Sequence, residues 1–347
     1  MLECVIITYQ KYAMLSLSTL IRLFISLAVL STGNTPTGPS QPPAGLGGSS
    51  YAHDDIKMID FADEPHGYWL FEPASPKPDT APVVIFLHGY GAINPMVYGG
   101  WIRHMVRKGN IVIFPRYQKN MISPRPTRFD INIARAISNA RVELQKDGHI
   151  KPDWSQLIMV GHSYGAAMSA YFASEYAQHQ VPKPKGIMLC APGTGPAKAG
   201  RLKSYAQIPE DIAILLINNA EDRVVGDSFQ HRIISTAQPT PFRNMLRQVP
   251  DDHGEPKVQA GHNECYSLDK TFDTGLRNPT VVRSFRVGQT DAVDYFGYWK
   301  LFDAMSSCLR EDKHCDIAFG FSDAQLSLGN WSDGQPIKPL IPVTITR

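Results

Sequence analysis

The sequence predicts a single α/β domain, a mostly parallel central sheet with helices on both faces. Three observations carry that expectation. Apolar runs of strand length alternate with segments of helical period. The runs are apolar along their whole length, as strands covered on both faces must be. Between one such run and one such helix lies a serine in a Gly-x-Ser-x-Gly frame, Gly161-His162-Ser163-Tyr164-Gly165.

Taken in order, the chain opens on a segment to be set aside. Residues 15–30 are mostly apolar, interrupted by Ser, Thr and Arg22, preceded by Lys11 and followed by Ser31, Thr32 and Gly33; Met14 offers an alternative start. A charged lead, a short apolar core and a small-residue exit describe a secretory signal peptide over residues 1–31. An uncleaved membrane anchor is the second reading, although Arg22 is costly at a bilayer centre and the charge-free stretch 23–30 is short. Residues 32–50 are almost wholly Gly, Pro, Ser, Thr, Asn and Gln. That composition describes a flexible linker. The domain is then 51–347, with an extension from about residue 266.

From residue 82 the alternation is regular. Residues 82–87 form a β-branched run that ends in His88-Gly89-Tyr90-Gly91, and a helix-compatible stretch follows with Trp101, Ile102, Met105 and Val106. Residues 111–115 are the second buried run. Asp130 is placed to cap a helix whose apolar residues are Ile131, Ile133, Ala134, Ala136, Ile137, Ala140 and Val142. Residues 155–160 lead as a strand into Ser163, and the small residues of 166–173 form a helix that can pack close to it. Residues 186–190 and 212–217 are further strands, and 244–249 a weaker one. Residues 291–309 read as a long amphipathic helix with Val293, Tyr295, Phe296, Trp299, Leu301, Phe302 and Met305 on its apolar face.

Composition narrows the function. Lys+Arg 34 against Asp+Glu 32 gives a net charge of +2, with no basic run interleaved with aromatics. A nucleic-acid partner is not expected. With 43% hydrophobic and 19% charged residues, the chain suits a globular enzyme. Besides Cys4 there are four cysteines, an even number, as in exported proteins with disulfides. Cys308 and Cys315 are the favoured pair. Cys190 is either a buried thiol or the partner of Cys265.

The serine frame points to nucleophilic catalysis. Strand, tight turn and helix push the Ser163 hydroxyl into the open and leave the Tyr164 amide at a helix start, where an oxyanion can be held. A serine needs a base, and the base an orienting acid. In Asn219-Ala220-Glu221-Asp222-Arg223, Asp222 is the favoured acid, with Glu221 beside it. His262, after the small-residue turn Ala260-Gly261, is the favoured base, and His253 in Asp251-Asp252-His253-Gly254 is the alternative. Asp251, Asp252, His253, His262 and Glu264 offer metal ligands, but their spacing matches no metal motif, and no metal or other cofactor is expected.

Gly161-His162-Ser163-Tyr164-Gly165, the Leu87-His88-Gly89-Tyr90-Gly91 loop, Asp222 and His262 together resemble the α/β-hydrolase fold superfamily, and within it the dienelactone-hydrolase, chlorophyllase and cutinase-like esterases. The resemblance implies Ser163 as nucleophile, Asp222 as orienting acid, His262 as base, and the amides of Tyr90 and Tyr164 as the oxyanion hole. It implies a serine hydrolase of carboxylic esters, secreted or held in the cell envelope, acting on a small-molecule or lipid-like ester. A peptidase or amidase on the same scaffold, and a binding protein that kept the serine turn, are the other readings. Residues 251–262 make a longer step from strand to histidine than is usual in the superfamily. The segment after Cys265 has no counterpart there; it forms either a lid or a wall of the pocket. Tyr90, Tyr98, Trp101 and Tyr164 either line an apolar acyl pocket or pack in the core.

Overall fold

The computed structural model describes residues 35–239 and 242–345. The segment read as a signal peptide or anchor lies outside them, apart from the linker that follows it. Strands β1 (Asp55–Asp60), β2 (Tyr68–Ala74), β3 (Thr80–Leu87), β4 (Ile111–Pro115), β5 (Lys151–His162), β6 (Gly186–Cys190), β7 (Ala213–Asn219), β8 (Arg243–Gln248) and β9 (Ile341–Pro342) form one sheet in the order β1-β2-β4-β3-β5-β6-β7-β8-β9. β3 to β8 run parallel, while β1, β2 and β9 pair antiparallel at the two edges. The expected α/β-hydrolase architecture is present.

Alternation along the central strands divides the core in two. Val84, Phe86, Val160, Met188 and Leu215 face one side of the sheet, and Val83, Ile85, Leu87, Met159, Ile187 and Leu216 the other. Each is fully buried, and each such side chain contributes about 1.5–3 kcal/mol of transfer free energy. Helices α2 (Phe129–Glu143), α3 (Tyr164–Glu175) and α4 (Ser228–Thr236) cover the second face. On the first lie α1 (Gly99–Arg107), α5 (Pro279–Val287), a π-helical turn (Val293–Trp299) and α6 (Lys300–Glu311).

The departures from the sequence reading have local causes. β1 and β2 escape a search for wholly apolar runs. β1 is a half-exposed edge strand, and β2 carries Glu72, whose buried carboxylate accepts from the Ile150 amide at 2.8 Å and lies 2.8 Å from His149 Nδ1. Asp130 is not the cap of α2. The helix starts one residue earlier at Phe129, with Arg128 at the cap, and Asp130 sits in the first turn, where a carboxylate meets the positive helix end. Ile131 and Val142, expected on the apolar face, are exposed. The helix expected over 291–309 is two elements, because the seven residues Val293–Trp299 wind as a π-helix. That turn sets Tyr298 against Trp101 and Trp299 against His104 of α1.

The part read as a linker makes fixed contacts over its described residues. Thr37 and Ser332 exchange hydrogen bonds of 3.0 and 2.9 Å, Gln41 donates to Tyr51 at 3.0 Å, and the Gly47 amide donates to Asp303 at 2.8 Å. The C-terminal segment is tied down by the Cys308–Cys315 disulfide, as expected, while Cys190 and Cys265 are buried free thiols. Lys300 anchors it further. The ammonium donates to the carbonyls of Ala324, Gln325 and Ser327 at 2.8, 3.0 and 2.7 Å, joining α6 to α8 (Asp323–Leu326), which follows α7 (Cys315–Phe319). Lys300→Met keeps an unbranched side chain one atom shorter and strands these carbonyls. We predict a loss of about 3 kcal/mol in urea unfolding, the scale of a few unmade buried hydrogen bonds.

Candidate active site

Ser163, Asp222, His262 and Tyr90 follow β5, β7, β8 and β3 respectively, so all four come to the carboxyl-end rim of the sheet, where parallel α/β sheets bind ligands. At Ser163 the chain turns from strand to helix within one residue, with φ 52° and ψ −115°, a region that side-chain-bearing residues rarely occupy. The surroundings hold it there. The Ser163 amide donates to the Cys190 carbonyl at 2.8 Å, and the Ser163 carbonyl accepts from Ala167 and Gly193, each at 3.1 Å. The flanking glycines permit the turn. A Cβ on Gly161 would overlap the Gly165 backbone, and one on Gly165 would overlap the Leu87 carbonyl of β3.

The structure brings His262, not His253, to the serine. His262 Nε2 lies 2.8 Å from Ser163 Oγ, and its Nδ1 lies 2.7 Å from Asp222 Oδ2. The other Asp222 oxygen accepts from the Val224 and Val225 amides at 2.8 and 3.1 Å. Burial works to raise the Asp222 carboxyl, but the His262 contact and these amides outweigh it and hold it below its ordinary value. Asp222 therefore stays ionised and fixes His262 with its proton on Nδ1, leaving Nε2 free to accept from the serine. Glu221 is exposed; its amide donates to the Ala260 carbonyl at 2.8 Å, clasping the acid loop to the base loop.

His253 lies elsewhere, 2.7 Å from Asp333 of the C-terminal segment. Its neighbour Asp251 is buried and accepts from the Trp331 indole at 3.1 Å and the Lys338 amide at 2.9 Å. These residues hold the C-terminal segment in place and do not converge with His262. Among the described residues no group of three or more His, Cys, Asp or Glu is placed to hold a metal ion. Glu264 instead braces the base turn by accepting from the Gly261 amide at 2.9 Å. Burial, reinforced by Asp291 and Glu221 against that hydrogen bond, pushes its carboxyl up to about 7.

The two amides named for the oxyanion hole are without backbone partners among the described residues. Tyr164 opens α3, so its N–H has no partner within the helix. The Tyr90 amide makes no hydrogen bond among the described residues, although Gly89 and Gly91 on either side donate to Tyr98 and Gln118, each at 2.8 Å. The sequence reading passed over His162. It is buried directly behind Ser163, with Nδ1 2.9 Å from the Tyr98 hydroxyl and Nε2 2.9 Å from the His262 carbonyl. Its place as the variable residue before the serine is the one signal that could have found it.

Two clefts meet at Ser163. One of about 530 Å³ is walled by Pro124, Pro126, Tyr164, Pro196, Val224 and Val225, with no charged residue in its lining. The other, of about 350 Å³, has His262, Asn263, Tyr266, Pro279, Thr280 and Arg283 on its walls, so α5 of the C-terminal extension supplies one side of it. Tyr90 and Tyr164 line the clefts, whereas Tyr98 and Trp101 are fully buried core residues.

A model of the Chlorophyllase family matches residues 57–203, which include the serine turn and the Tyr90 loop and end before Asp222 and His262. The fold is that of an α/β-hydrolase-like scaffold, and the part of the chain that matches is similar to the Chlorophyllase family, which speaks for an esterase-type hydrolase. No curated protein is similar enough to count as a match.

Gly165→Ala tests how tightly the turn is built. A methyl there meets backbone, which cannot move aside as a side chain would. We predict a loss of more than about 3 kcal/mol in urea unfolding, or no soluble protein, as overpacking against a rigid neighbour produces.

Proposed function

We propose that this protein is a serine hydrolase of carboxylic esters that works through an acyl-enzyme. The observation that carries the reading is the continuous hydrogen-bonded chain from Ser163 Oγ through His262 to Asp222, at 2.8 and 2.7 Å. His262 Nε2 takes the Ser163 proton as Oγ attacks the ester carbonyl, and Asp222 stabilises the imidazolium that forms. The developing oxyanion rests on the Tyr90 and Tyr164 amides. Collapse expels the alcohol, which receives the proton from His262. A water activated by the same histidine then releases the acid.

The two clefts shape the substrate. The larger takes an apolar arm. In the smaller, exposed Arg283 has no ion-pair partner among the described residues and faces whatever the ester carries on that side. An ester with one apolar and one anionic arm fits both. Export is part of the same proposal: the Cys308–Cys315 disulfide supports an oxidising compartment. No described helix is long and apolar enough to cross a membrane.

A fluorophosphonate probe, mapped by mass spectrometry, is expected to label Ser163. Ser163→Ala is expected to abolish labelling and lower kcat about a million-fold, and a retained ester turnover would refute the nucleophile. Amide substrates turned over faster than the matching esters would turn the reading to a peptidase. Arg283→Gln is expected to raise KM about tenfold, the scale of one charge-assisted hydrogen bond, for an ester with a carboxylate on one arm. The neutral methyl analogue should be unaffected; equal effects on both would remove Arg283 from substrate recognition.

A further inference from the structure

His162 is the residue that the hydrolytic chemistry leaves unused. It is 1% exposed and Tyr98 is fully buried. The hydrogen bonds around it run in one direction only. Nε2 faces the His262 carbonyl, which can only accept, so Nε2 carries the ring proton. Burial, with the nearby His262 ring adding to it, pushes His162 down to about 3, so the ring is neutral in ordinary buffers. A neutral ring protonated on Nε2 must accept at Nδ1, and the Tyr98 hydroxyl donates there at 2.9 Å. The same hydroxyl oxygen accepts from the Gly89 amide at 2.8 Å. There is little slack around the chain. A Cβ on Gly89 would lie 2.7 Å from His162 Nδ1 and 3.3 Å from the Tyr98 hydroxyl.

We propose that Tyr98 and His162 are positioning residues that lock the oxyanion loop and the base loop to the serine turn as one rigid unit. The proposal rests on the esterase reading and deepens it. His162 precedes Ser163 in the chain, holds His262 by its backbone, and reaches Gly89, beside the Tyr90 amide, through Tyr98. His162 and Gly89 border the smaller cleft, whereas Tyr98 is buried away from both clefts, so loss of the Tyr98 hydroxyl should loosen the alignment of base and oxyanion donor without altering the lining. Misplacement of reacting groups by about 1 Å costs roughly a hundredfold in rate.

The test compares His162→Leu, His162→Gln and Tyr98→Phe in the full chain, using a chromogenic ester, fluorophosphonate labelling and thermal unfolding. Leucine fills the site with neither donor nor acceptor. Glutamine supplies one of each, about as far apart as the two ring nitrogens. Expected are a roughly hundredfold fall in kcat and in labelling rate for His162→Leu, and recovery to within about tenfold of wild type for His162→Gln. Tyr98→Phe should lower kcat on the same scale with KM within about twofold; because it removes only an oxygen from a residue outside both clefts, it decides the matter if His162→Leu does not fold. A folded His162→Leu or Tyr98→Phe with kcat within threefold of wild type would overturn the proposal, as would a His162→Gln no faster than His162→Leu. If the wild type shows no Ser163-dependent turnover, the esterase reading falls and this proposal with it. Turnover that survives in the variants removes this proposal alone.

Discussion

The helix after Ser163 touches the neighbouring strand backbone through a residue with no side chain. Gly165 lies against the Leu87 carbonyl at the end of β3, and that approach sets the geometry of the site. It brings the start of α3 beside the loop that leaves β3, so Tyr164 and Tyr90 line the same cleft. Parallel pairing of β5 with β3 on one side and β6 on the other fixes the heights at which these loops emerge. The Ser163 amide then finds the Cys190 carbonyl, and the strained residue is held by bonds from both sides. Strain of this kind costs of order 1–3 kcal/mol and persists because the surrounding sheet over-determines it.

Charge is placed with similar economy. Asp222 is a largely buried carboxylate that remains ionised because three donors converge on it against the cost of desolvation. His162, more deeply buried and with no charged partner in contact, stays neutral. Two imidazoles whose rings lie 4.9 Å apart therefore carry their ring protons on different nitrogens, Nδ1 in His262 facing a carboxylate and Nε2 in His162 facing a carbonyl. His262 is thereby the ring that presents an accepting nitrogen to Ser163.

The C-terminal extension completes what the parallel sheet leaves open. Its helix α5 forms a wall of the smaller cleft, its π-turn and α6 cover one face of the core, and its last strand caps the edge at β8. The long step from β8 to His262 is closed by a local pairing, in which Asp251 and Val258 exchange backbone hydrogen bonds of 3.0 and 2.9 Å. The extra residues form an excursion that Asp251 pegs to Trp331, and the chain returns to the rim in time for His262.

By itself the sequence determined the central strands, the serine turn and the fold class, because these depend on local pattern: runs apolar on every residue, and glycines where a side chain would meet backbone. It also marked Asp222, which follows a strand directly. Only the tertiary structure decided between His253 and His262. Two histidines on one irregular stretch look alike until Trp331 and Lys338, some eighty residues further on, engage Asp251 and leave His253 beside Asp333. The edge strands β1 and β2, the buried charge on Glu72 and the three-carbonyl seat of Lys300 were hidden for the same reason. A polar residue can be buried only if partners distant in the chain meet it, and a pattern read along one segment does not contain those partners.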